Sequence, residues 1–155
     1  MVEINQIVKV KIDSLAYGGE GVGKVDGLAL FVEDSAPQDI LNVKITYRKN
    51  NFARGEIVEI LEPSPYRVKP ECAMVKVCGG CNWQHIEYAE QLKAKRQMVE
   101  DNLRRIGQID AEVREVLSSD RIYNYRCKIQ NPVQQTEVSK RLLLGYYKKG
   151  THELV

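Results

Sequence analysis

Three of the four cysteines in this 155-residue chain fall within ECAMVKVCGGCNWQH, residues 71–85, spaced Cys72-x5-Cys78-x2-Cys81. Thiolates at such short separations bind soft or borderline metals. Gly79-Gly80 makes a tight turn that lets the backbone approach a metal and aim N–H groups at sulfur, which tunes the potential of a cluster. Two chemistries fit. One is an iron–sulfur cluster held by three visible thiolates and a ligand elsewhere. The other is zinc, with His85 completing a tetrahedral Cys3His set. Spacing alone does not separate iron from zinc. Unrelated buried thiols are a third reading, but three cysteines in ten residues around a Gly-Gly turn argue against it. Cys127, in NYRCKIQNPV, reads as a small side chain within a strand, flanked by the basic pair Arg126 and Lys128.

A second group of residues suits nucleic acid. Lys44, Arg48, Lys49 and Arg54 share the window NVKITYRKNNFARGE, with Tyr47 and Phe52 between them. Lys and Arg take phosphates, and exposed aromatics stack bases. The alternative is a solvated hairpin whose aromatics pack inward. GGEGVGKV, residues 18–25, imitates a phosphate-binding loop of pattern G-x4-G-K-S/T at Gly18, Gly23 and Lys24. Val25 stands where that motif needs a hydroxyl, and the segment runs into a turn and strand instead of a helix. These glycines are expected to serve tight turns.

The elements that must position these residues fall into two parts. QIVKVKIDSLA alternates with period two, Asp26-Gly27 marks a hairpin between VGKV and LALFV, and DILNVKITYRK and FARGEIVEILE read as longer strands. Five short strands, glycine turns and no helix predict an OB-like barrel over residues 1–62. Pro63, Pro65 and Pro70 mark a linker at 63–71. Residues 72–155 then hold the cysteine loop, one amphipathic helix over Ile86–Ile106 and a partial antiparallel sheet. In the helix Leu92, Val99, Leu103 and Ile106 form the apolar stripe beside Met98, and Gly107 is the stop. EVREVL, YRCKIQNPV and RLLLGYY read as strands, the last two as a hairpin, and KKGTHELV as the start of another. The fold class expected is mainly β, with an α+β second part.

Composition bounds the rest. Hydrophobic residues are 43% and charged residues 28%, a globular balance. No apolar run approaches the roughly 20 residues of a membrane span, and the N-terminus lacks the apolar stretch of a signal peptide. Clustered thiols suit a reducing compartment, so a cytoplasmic monomer away from membranes is expected. The net charge of +2 divides unevenly: residues 1–62 carry 7 Lys/Arg against 10 Asp/Glu, and residues 63–155 carry 16 against 11.

VKIDSLAYGGEGVGKVDGLALFV resembles the start of a TRAM domain, an OB-like RNA-binding module. CAMVKVCGGCNWQHIEYAEQLKAKRQMVEDNLRRIG, YRCKIQNPV and LLLGYYKKGTHELV are similar to the S-adenosylmethionine-dependent RNA (uracil-C5)-methyltransferases, which make 5-methyluridine in ribosomal and transfer RNA. The resemblance implies that Cys72, Cys78 and Cys81 are three of four ligands of a [4Fe-4S] cluster. It sets Cys127 at the position of an Asn in the family's Tyr-Arg-Asn-Lys segment, so Cys127 is not the expected fourth ligand. It places that fourth cysteine, the S-adenosylmethionine site and the catalytic nucleophile beyond Val155. The chain would then be an inactive N-terminal portion that grips RNA, ribosomal before transfer, through Lys44, Tyr47, Arg48, Lys49, Phe52, Arg54, Arg126 and Lys128. The competing class is a non-enzymatic RNA-binding protein with a structural zinc.

Overall fold

The computed structural model describes residues 2–155. Strands β1 (Ile7–Leu15), β2 (Gly21–Val25), β3 (Leu28–Val32), β4 (Ile40–Arg48) and β5 (Phe52–Glu62) close into a barrel in the order β1-β2-β3-β5-β4. Neighbours are antiparallel except β3 and β5, which run parallel. The period-two pattern is the cause. Val8, Val10 and Ile12 of β1, Leu30 and Val32 of β3, and Leu41, Val43 and Ile45 of β4 all point inward and are buried. Each such aliphatic contributes about 1.5–3 kcal/mol over its exposed state. Asp26 and Gly27 both have positive φ (50° and 79°), the conformation that a two-residue hairpin between Val25 and Leu28 demands. Gly23 lies so close to β1 that a Cβ would stand 2.3 Å from the Lys11 carbonyl oxygen. Side chains are therefore excluded where β2 crosses the barrel wall.

The expected linker is pinned to the barrel. Asp39 is fully buried between β3 and β4. Its carboxylate accepts from the Ala36 and Ser64 amides (2.6 and 2.8 Å) and from Arg67 Nε and Nη2 (2.8 and 2.6 Å). A buried carboxylate needs this degree of satisfaction to stay charged at small cost. Tyr66 then accepts the Glu87 amide at its carbonyl, and Val68 donates to His85 O, so the proline segment leads directly under the next element.

Helix α1 (Tyr88–Arg105) forms where its pattern predicts, but presents a different face. Ala94 and Met98 pack with Trp83 on a small cluster of Leu15, Ala36 and Ile86. Val99 is 48% exposed and Ile106 80% exposed, and no residue of α1 is buried. The expected stripe of Leu92, Val99, Leu103 and Ile106 is thus not the docking face. Gln91 donates its amide to the carbonyls of Trp83 and Ile86 and so fixes the first turn. The helix stops at Gly107, though the residue with left-handed φ is Gln108 (53°), after which Ile109 N donates back to Leu103 O.

The last third departs from expectation. EVREVL is not a strand, and YRCKIQNPV contributes only its last residue to one. The hairpin exists but is short: β6 (Val133–Gln135) pairs with β7 (Leu142–Leu144). KKGTHELV does not extend as a further strand. It turns at Gly150, and Tyr147 bridges Leu154. The physical reason is that Leu117, Ile129, Val133, Val138, Leu142 and Leu144 remain exposed, so nothing covers a longer sheet.

Candidate nucleic-acid interface and cysteine loop

The basic window lies on the outer face of the barrel. Inward alternation of Leu30, Val32, Ala53 and Gly55 turns Phe31, Phe52 and Arg54 outward. An irregular step between Ile45 and Tyr47 brings Tyr47 to the same side. The rings of Phe31 and Phe52 meet edge to face at 5.7 Å, and those of Tyr47 and Phe52 lie 5.9 Å apart. Lys49 Nζ stands 5.9 Å from the centre of both Tyr47 and Phe52. Lys44, Arg48, Lys49 and Arg54 are all exposed. Inward packing of these aromatics is therefore excluded, and the arrangement offers π faces ringed by cations. Phe31 was not singled out from sequence. The signal lay in LALFV, where Leu30 and Val32 inward require Phe31 outward.

The glycines of the false phosphate loop have a different task. Gly18 and Gly19 adopt φ of 109° and 104° and offer their carbonyls outward. Asn82 Nδ2 donates to Gly18 O at 2.7 Å, and Trp83 Nε1 donates to Gly19 O at 3.0 Å. A Cβ on Gly19 would stand 2.5 Å from Asn82 Cβ. The turn is a seat for the cysteine loop. On the other side, the Gly79 amide donates to Tyr147 O at 2.8 Å, Lys149 N donates to Val77 O at 3.0 Å, and Cys78 bridges Lys148. The cysteine loop is held between the barrel and the turn around Gly150.

Within the loop the sulfurs receive N–H donors. The Gly80 amide points to Cys78 Sγ (3.4 Å), and Gln84 Nε2 points to Cys81 Sγ (3.1 Å) while its Oε1 accepts from the Cys72 amide (3.2 Å). That donor set has the chemistry of a soft-metal or cluster site. Its assembly is incomplete. Cys72, Cys81 and Cys127 are exposed thiols, and among the described residues no three His, Cys, Asp or Glu side chains converge on one metal position. Cys127 is not a strand cysteine. His85 does not complete a Cys3His site either. Its ring is turned to the barrel, with Nε2 at 3.1 Å from Ser35 O, and burial holds its pKa below the ordinary histidine value against the raising effect of that bond.

A groove of about 440 Å³ opens where these parts meet. The Gly18–Glu20 turn, Asp34 and Arg54 line its barrel side, Gly79 and Gly80 its floor, and the 146–150 turn its far wall. Arg54 joins the groove to the aromatic face. Tyr146 joins it to a second hollow lined by Arg126 and Lys128. The fold thus brings most of the sequence-predicted basic residues onto one connected surface. Lys44 stands further along β4, paired with Ile7 and Glu56.

Residues 2–58 match the TRAM domain family. The barrel is a TRAM domain. Beyond it, a Thermosynechococcus vestitus protein named "Uncharacterized RNA methyltransferase" is 39% identical over 149 residues, which take in 96% of this chain and 33% of that protein. A Listeria innocua protein of the same description is 40% identical over 153 residues, 97% of this chain and 33% of its own length. The chain spans about a third of the length of the curated relatives it matches. Among solved structures, the tRNA (uracil-54, C5)-methyltransferase of Pyrococcus abyssi, with S-adenosyl-L-homocysteine, is 30% identical across 69% of this chain and 23% of that one, at a TM-score of 0.43. The TRAM domain supplies the aromatic face, and the segment that follows it supplies the cysteine loop.

Proposed function

We propose that this chain is the RNA-gripping part of an S-adenosylmethionine-dependent RNA (uracil-C5)-methyltransferase, with ribosomal RNA as the first candidate substrate and transfer RNA the second. The observation that carries it is the outward trio Phe31, Tyr47 and Phe52 under Lys49 on a TRAM barrel. The similarity of nearly the whole chain to proteins named RNA methyltransferases supports it. Bases stack on the trio while Arg48 and Lys49 take phosphates. The uracil-C5 specificity rests on the resemblance of the cysteine and YRCK segments to that family. In this reading the methyl-donor site and the thiolate that must add to C6 of uracil before C5 can attack would lie in a region matching the part of the relatives that this chain does not span. Cys72, Cys78 and Cys81 would hold three corners of a [4Fe-4S] cluster, which supplies rigidity to the loop that docks on Gly18 and Gly19.

The test is binding of single-stranded RNA across a salt series. The double variant Arg48→Glu, Lys49→Glu is expected to weaken binding and to lower the slope of log K against log salt by about 1–2, roughly one for each phosphate no longer neutralised. An unaltered slope would move the RNA surface elsewhere. The metal is tested separately by assaying iron, acid-labile sulfide and zinc in protein purified without oxygen. Iron and sulfide in near-equal amounts, absent from Cys78→Ser, are expected. About one zinc and no sulfide would favour the non-enzymatic RNA-binding alternative.

A further inference from the structure

The groove beside the aromatic face has a different character from that face, and the difference identifies what it takes. Three cations line it, Arg54, Lys148 and Lys149, with three carboxylates, Glu20, Glu33 and Asp34. Arg54 is paired with Glu20 at 3.3 Å, Lys149 with Asp34, and Lys148 with Glu153 at 2.6 Å. Among the described residues Glu33 alone of the six has no ion-pair partner. The lining therefore offers a phosphate no uncommitted cation and one repelling carboxylate. It suits a flat, neutral group with N–H donors. Tyr146, 38% exposed, presents a ring on the far wall. The hollow beyond Tyr146 reverses the balance: Arg126 and Lys128 line it without an acid.

Base and phosphate sites thus alternate along the surface. Arg48 and Lys49 flank the stacking trio, the neutral groove follows, and the Arg126–Lys128 hollow lies beyond Tyr146. Among the RNA bases, guanine presents two parallel N–H donors, N1–H and N2–H, on its Watson–Crick edge. Adenine sets a donor beside an acceptor, cytosine does the same, and uracil has one donor between two acceptors. A carboxylate has two acceptor oxygens at the spacing that guanine requires.

We propose that the groove receives an unpaired guanine of the bound RNA strand, its ring stacked on Tyr146 and its N1–H and N2–H donated to the Glu33 carboxylate, with the adjoining phosphate on Arg126 and Lys128. This rests on the RNA-binding reading above and adds a base-specific subsite to it. No bond is made or broken, so the subsite reads sequence next to the strand held on the barrel. It also makes the cysteine loop the floor of the RNA path, through Gly79 and Gly80.

The experiment uses the full chain and fluorescence anisotropy with an eight-residue oligouridylate, and with copies bearing one guanine, inosine or adenine at each interior position in turn. One guanine in the favoured register is expected to tighten binding roughly tenfold, as a bidentate base contact does. Inosine, which lacks the N2 amino group, is expected to recover only part of that gain, and adenine none. Glu33→Gln is expected to abolish the guanine gain, so that within that variant guanine-bearing and plain oligouridylates bind alike. Absence of a gain at every position, or a gain that survives Glu33→Gln, overturns the subsite. Phe52→Ala separates the two readings: it is expected to weaken every oligonucleotide. If oligouridylate does not bind, or binds regardless of Phe52, the RNA face falls and the subsite with it.

Discussion

At the scale of single residues, His85 is the part of the fold most sensitive to mild acid. Its imidazole is largely enclosed, donates Nε2–H to Ser35 O, and has Arg67, Asp34 and Asp39 around it. Burial is the largest influence and lowers its pKa, so the fold prefers the neutral ring. An unfolded histidine takes up its proton near pH 6.5. Below that value the unfolded chain binds a proton that the folded chain resists, and stability falls until the folded pKa is passed. Urea midpoints are therefore expected to decrease between pH 7.5 and pH 5.5, above the range where ordinary carboxylates titrate. His85→Gln is expected to flatten that decrease, and an unflattened profile would place the acid-sensitive group elsewhere. Asp39 works at the same scale but without exposure to solvent: two backbone amides and two guanidinium nitrogens converge on a carboxylate that joins barrel and proline segment.

At the scale of elements, the seating of the cysteine loop on the β1–β2 turn is the decisive contact. It depends on two glycines with positive φ and on the close approach of Asn82. Gly19→Ala combines backbone strain with a clash and is expected to cost about 1–3 kcal/mol. Most of that cost falls on the docked loop and not on the barrel, because the barrel's own core lies on the other side of the wall. Trp83 is the chain's one tryptophan and donates to Gly19 O, so it reports the change directly. Red-shifted Trp83 emission with an intact β-barrel circular dichroism signal is expected. Unshifted emission would show that the loop is held by Tyr147 and Lys149 instead.

At the scale of the whole molecule, stability is concentrated in the first half. Past Ile86 no described residue is buried, while thirteen apolar residues up to Ile86 are. Helix α1 is steadied by i,i+3 and i,i+4 pairs such as Arg96–Glu100 and Arg104–Asp101, each contributing only tenths of a kcal/mol. Hydrogen exchange is expected to show β1–β5 amides protected to the level of global unfolding, α1 intermediate, and residues 107–145 exchanging within the first seconds apart from β6 and β7. Uniform protection across the chain would mean that the exposed aliphatics of the last third are covered in solution. No helix of the described residues is long and apolar enough to cross a membrane, so those aliphatics do not belong to a spanning helix.

The sequence by itself determined the barrel, because alternation, glycine placement and Asp26-Gly27 act over a few residues and leave their mark locally. It determined the position of α1 within two residues, and the cysteine loop as a unit. It marked Tyr47, Arg48, Lys49, Phe52, Arg54, Arg126 and Lys128, since charge and aromaticity are visible without coordinates, but not Phe31, Glu33 or Tyr146, which the fold sets along the same face and groove. Tertiary structure decided the rest. Which face of α1 docks was settled by Leu15 and Ala36, residues of the barrel that the helical period cannot anticipate. His85 turned to Ser35 O instead of the thiols because a barrel carbonyl some fifty residues earlier lay within reach. Gly18 and Gly19, legible only as turn formers, became the seat for Asn82 and Trp83, 64 residues away in each case. Contacts between distant parts of a chain depend on how its elements close on one another, and no window of sequence holds both partners.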